Sequence, residues 1–174
     1  MQAPFEAYTD VVKPEWIDDN GHMNMGYYLV VFDIASTPFF HFVGLTHEYR
    51  RAQGSTTFAA ESHILFQREV REGNRLRFQT RLLEFDAKRL HFAQRMYHAD
   101  EGYLASSMES MSIHIDRAKR RVAPFTAEIQ ARLATVKAAH DKLEPWSEVG
   151  RKVSVGGGRP KILPLGRDAG RGRR

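Results

Sequence analysis

Residues 14–33, PEWIDDNGHMNMGYYLVVFD, place Asp18, Asp19, Asn20, His22 and Asn24 directly before a long apolar run. Such a run reads as a helix, and a helix N-terminus offers free N–H groups and a positive field. Together these can hold a negative charge that develops on a reacting oxygen. The same residue types also make ordinary turns and N-caps, so the composition alone supports a structural role equally well.

The elements that must position these groups follow from periodicity. EAYTDVVK (6–13) reads as a strand ended by Pro14, and the helix runs from about Asn24 to Val43, closed by Gly44 at C′. Tyr28, Leu29, Val30, Val31, Phe32, Ile34, Phe39, Phe40 and Phe42 make it apolar nearly all round, which predicts a helix wrapped by other structure. Pro38 is expected to kink or restart it. A polar loop follows, and the period then changes to two. Strands are expected at 56–70, 75–82, 89–98 and 103–116, separated by the turns EGN, FDAK and ADEG. In RLRFQTRL, Leu76, Phe78, Thr80 and Leu82 share one face, and Arg75, Arg77, Gln79 and Arg81 share the other. Residues 124–140 read as a terminal amphipathic helix capped by Thr126. The expected class is α+β, a curved antiparallel sheet around one long helix. That helix needs more cover than one sheet gives, which points to a dimer.

With no cysteine in 174 residues, disulfides, thiolate metal sites and a cysteine nucleophile are excluded. The apolar run carries Asp33 and His41 and reads as a core helix, not a membrane span. MQAPFEAYTD has neither the basic start nor the apolar centre of a secretory signal, so a cytoplasmic protein is expected. The net charge of +5 does not indicate nucleic acid binding. From Asp141 onward there are nine Lys/Arg against four acids and seven of the thirteen glycines, while residues 1–140 balance at 17 against 17. The expected organisation is therefore a folded domain over 1–140 and a flexible basic Gly/Arg-rich extension over 141–174.

Asp18, Gly21, His22 and Asn24, in that order before the apolar helix, resemble the core motif of hotdog-fold acyl-CoA thioesterases related to 4-hydroxybenzoyl-CoA thioesterase. The resemblance covers about residues 6–140. More narrowly, PEWIDDNGHMN, DAKRLHF and HAD…LAS…SIHID resemble the betainyl-CoA thioesterases of bacterial carnitine breakdown, some of which are fused to a carnitine dehydrogenase that this sequence lacks. The resemblance implies a hotdog fold and hydrolysis of a small acyl-CoA. Coenzyme A would be part of the substrate, with no further cofactor and no metal, in a homodimer or tetramer.

It further implies that Asp18 attacks the acyl carbon or activates water, with Asp19 the rival carboxylate, and that the Met25 backbone N–H holds the oxyanion. His22 could orient Asp18, assist water, protonate the leaving thiolate or bond across the turn, and Asn24 reads as a cap or positioning group. Trp16 and Tyr28 are the aromatic residues expected to reach the acyl group. Glu61 and His63 share a strand face without an evident third ligand, so Glu61 is kept as a water-binding candidate. Lys88 and Arg89 would meet the CoA phosphates. A hotdog dehydratase or hydratase and a non-catalytic acyl-CoA-binding protein are the alternatives.

Overall fold

The computed structural model describes residues 3–155. Strand β1 (Phe5–Val11) leads through a single 3₁₀ turn (Pro14–Trp16) into helix α1 (Met25–Phe42) and a short helix α2 (His47–Ala52). Strands β2 (Ser55–Phe66), β3 (Arg75–Phe85), β4 (Arg89–His98) and β5 (Leu104–Asp116) follow, then a two-residue β6 (Arg121–Val122) and helix α3 (Ala127–His140). The sheet is antiparallel in the order β1-β3-β4-β5-β2, with β6 on β5.

The period-two alternation of β3 decides which sheet face meets α1. Leu76, Phe78, Thr80 and Leu82 are buried, and Phe32 of α1 packs edge-on to Phe78 while Phe39 and Phe40 pack on Phe92. Each fully buried phenylalanine of this kind contributes about 1.5–3 kcal/mol through area removed from water. Gln94, fully buried between helix and sheet, bonds Ser36 and Thr80, so its amide is satisfied.

Helix α1 ends where Gly44 adopts φ +94, with Leu45 N–H donating to Phe40 O and Gly44 N–H to His41 O. This paired pattern satisfies the last carbonyls and needs a left-handed residue. A Cβ on Gly44 would lie 2.7 Å from Ile129 Cδ1 of α3. Gly44→Ala should therefore destabilise the fold by about 1–3 kcal/mol. Urea unfolding with an unchanged midpoint would contradict this.

Several expectations need correcting. Helix α1 runs through Pro38 without restarting, and within one chain Met25, Leu29, Val30 and Ile34 are left 40–68% exposed, the cover that the sheet does not give. Strand β2 stops at Phe66, not at residue 70, because Gln67 N–H and Arg68 N–H both turn to Ala105 O. The first strand ends at Val11, and α2 lies in what reads as a polar loop. The packed unit continues past His140. Arg81 donates to the carbonyls of Leu143 and Glu144, Arg95 pairs with Glu148 and stacks on Trp146, and Gly150 N–H donates to Glu109. This segment covers Arg81 and Arg95 on the outer face of β3 and β4, and leaves Arg75 and Arg77 to Asp100 and Glu6. Gly156 and the residues that follow lie outside the described residues.

Candidate active site

Asp18 opens a tight turn whose geometry is set by its neighbours. Gly21 N–H donates to Asp18 O, Asp18 N–H to His22 O and Asn20 N–H to the Asp18 carboxylate, at 2.9–3.0 Å. Gly21 takes φ +78, a conformation that costs glycine nothing. Ile17 and Met23 form a β-bridge just outside the turn, so Asp18 and His22 face each other across it, joined by the Asp18 N–H to His22 O bond. The turn is tied down at both ends: Asn24 N–H donates to Trp16 O, and Met23 N–H to Val70 O.

The chain then enters α1. Asn24 is its N-cap, with Oδ1 accepting from Gly26 N–H at 2.9 Å. Met25 is 68% exposed, and its N–H makes no hydrogen bond among the described residues. A free donor at the positive end of an 18-residue helix thus follows directly after a half-buried carboxylate and an imidazole. Asp19, the rival carboxylate, is exposed.

His22 reaches outside the turn. Its Nε2 lies 2.8 Å from Glu69 Oε2, both side chains being about a quarter exposed. Glu69 is also paired with Arg71, and its carbonyl accepts from Tyr103 O–H. The sequence reading missed Glu69 because it carried β2 through residue 70, which put this side chain on a strand face.

Trp16 and Tyr28 do not offer the free aromatic faces expected of them. Trp16 is 5% exposed, stacked on Tyr27 with the Lys13 ammonium 5.0 Å from its ring. Tyr28 is 4% exposed, with its ring packed edge-on against Phe66. Burial, reinforced by Tyr103 and by the charges of Glu69 and Asp18, pushes its phenol up to about 12 despite a hydrogen bond from Val70 N–H. The hydroxyl is thus protonated at neutral pH.

The remaining candidates lie elsewhere. Glu61 pairs with Met111 on the sheet face opposite α1 and, with His63, His91 and Glu109, borders a groove of about 460 Å³. Among the described residues, no group of three His, Asp or Glu is placed to hold a metal ion. In the β3–β4 hairpin, Arg89 is locked by Asp86, whose carboxyl the guanidinium holds below its ordinary range. Lys88 is exposed and has no side-chain partner among the described residues.

A second cavity, of about 220 Å³, opens between α1 and the inner face of β2 and β5. Leu29, Asp33, Phe40, Arg50, Phe92 and Met108 are among its lining residues. It begins at Leu29, one helical turn beyond Met25, or about 6 Å along the axis. Asp33, the one acid on α1, borders it, whereas the guanidinium of Arg50 is held by Thr57 near Phe40.

A curled antiparallel sheet around one long helix is the hotdog architecture, and the family match and relatives identify a thioester hydrolase. The chain belongs to the Thioesterase-like superfamily, whose family model matches residues 12–133. It is 36% identical over 155 residues to a betainyl-CoA thioesterase of Pseudomonas aeruginosa, an alignment that covers 89% of this chain and 98% of that protein. It is 31% identical to an L-carnitine dehydrogenase/betainyl-CoA thioesterase of Rhizobium meliloti, covering 86% of this chain and 30% of that protein. Among solved structures, a Staphylococcus aureus hypothetical protein in complex with CoA superimposes with a TM-score of 0.79. It is 25% identical, and the match covers 89% of this chain and 99% of that one. A putative thioesterase of Pseudomonas putida gives a TM-score of 0.76 at 26% identity, with 89% and 99% covered.

Proposed function

We propose that the protein hydrolyses a small cationic acyl-CoA, with betainyl-CoA as its reference substrate, and acts as a homodimer. What supports the reading is the tight Asp18 turn, tied to Asn24 through Trp16 O, shortly before the open Met25 N–H that begins α1. Asp18 attacks the thioester carbon or takes the proton of an attacking water. The carbonyl oxygen gains negative charge and is held by the Met25 N–H, a donor worth about 3–4 kcal/mol in such sites. The C–S bond then breaks, and the CoA thiolate takes a proton. Lys88 is the cation of the hairpin left available to the CoA phosphates.

The names of the sequence relatives and the cavity beside α1 both support a short cationic acyl group. A trimethylammonium donates no hydrogen bond. It is recognised by negative charge and by aromatic faces, each aromatic contact contributing about 0.5–2 kcal/mol. Asp33 supplies the charge; Phe40 and Phe92 line the same cavity, but both are buried and Phe40 already carries the Arg50 guanidinium over its ring. Arg50 opposes a cation only near Phe40, roughly 10 Å along the helix from Asp33.

Betainyl-CoA should accordingly show a higher kcat/KM than its neutral isostere, 3,3-dimethylbutyryl-CoA. Asp33→Asn should reduce that preference by roughly tenfold, about 1.4 kcal/mol, and leave the neutral substrate nearly unaffected. Equal kcat/KM values for the two substrates in the wild type would remove the cationic assignment and leave the general thioesterase one.

A further inference from the structure

We infer that Glu69 is a positioning residue for the reaction, locking His22 so that its second ring nitrogen serves the thioester beside Asp18. This rests on the reading of Asp18 as the reacting carboxylate. The bridge at the base of the turn and the Asp18 N–H to His22 O bond set His22 directly across from Asp18. The carboxylate of Glu69 holds Nε2 at 2.8 Å, and Nδ1 makes no hydrogen bond among the described residues. A ring fixed by one nitrogen presents the other in a single orientation, which is how a histidine is made ready to move a proton.

Glu69 is itself held in place. Arg71 takes its other carboxylate oxygen at 3.0 Å, and Tyr103 O–H donates to its carbonyl at 2.9 Å. The next residue, Val70, accepts from Met23 N–H of the motif. One short segment after β2 therefore fixes the motif by its backbone and the imidazole by a side chain.

The proton balance is closed. With Asp18 as base, the attacking water gives its proton to Asp18, the C–S bond breaks, and the electron pair leaves on sulfur. His22 takes that proton from Asp18 at Nδ1 and passes it to the thiolate, which leaves Asp18 a carboxylate again. Glu69 holds the Nε2–H throughout and touches neither substrate nor reacting atoms.

The test is a double-mutant cycle read as CoA-thiol release. In the wild-type background, Glu69→Ala should lower kcat by roughly tenfold to a hundredfold with KM nearly unchanged. In a His22→Ala background the same change should cost almost nothing, because its effect passes through the imidazole. Glu69→Gln keeps an oxygen that can accept from Nε2–H and should retain more activity than Glu69→Ala. It also carries the same cycle if the alanine variant does not fold. Equal losses from the Glu69 change in both backgrounds, or an unchanged kcat, would overturn the inference. A wild type that released no CoA from any acyl-CoA would instead overturn the thioesterase reading beneath it.

Discussion

Asp18→Asn should yield a folded protein that binds acyl-CoA but has lost roughly 10²–10⁴-fold in kcat, the range expected when a positioned nucleophile or base is removed. Folding should survive because the asparagine side-chain oxygen can still accept from Asn20 N–H, the one hydrogen bond the Asp18 carboxylate makes among the described residues. An amide neither attacks a thioester nor takes a proton from water at neutral pH, so the loss should fall on kcat and not on KM. Asp19→Asn is the matched control. Its side chain is exposed, and its rate should stay close to wild type. Activity retained by Asp18→Asn and lost by Asp19→Asn would mean that the reacting carboxylate is the second of the pair.

The second large effect concerns assembly. Val30 and Ile34 lie one turn apart on α1, 45% and 40% exposed, beside Met25 and Leu29 at 68% and 48%. Strand β2 ends the sheet order, and its middle, Phe58 to Ser62, is exposed. A free edge beside an apolar helix face invites pairing with another chain, and a second copy offers the same two features in complementary orientation. Val30 and Ile34 do not border the cavity next to Leu29 and Asp33, so changing them tests assembly without altering that pocket. The expected result is a wild-type dimer by sedimentation, and a monomer with little turnover for Val30→Glu/Ile34→Glu. A wild type that sediments as a monomer and hydrolyses substrate would remove the dimer from the reading.

What the sequence made legible were local signals. The Asn24 and Thr126 caps, the Gly44 stop and the strict alternation of Leu76, Phe78, Thr80 and Leu82 each depend on a few adjacent residues. The order of elements and the place of Asp18 at the helix mouth followed from these. The contacts it hid depend on the tertiary path. Glu69 meets His22 only because the chain leaves the sheet at Phe66, a departure that its residue pattern does not mark. Trp16 and Tyr28 stand beside the motif in sequence, yet packing turns both inward. In a helix apolar all round, periodicity cannot tell Tyr28, which is buried, from Leu29, which is not. Trp146 and Glu148 fold back onto Arg95 within a stretch whose charge and glycine content read as a solvated tail.

The most direct test of the central claim is continuous measurement of free CoA thiol with the wild-type protein over a panel of acyl-CoAs, with enoyl-CoA hydration assayed in parallel. Many turnovers of thiol release are expected on short acyl groups, fastest with betainyl-CoA, and no hydration. Tight acyl-CoA binding without thiol release, or hydration of the enoyl group with the thioester intact, would contradict the central claim.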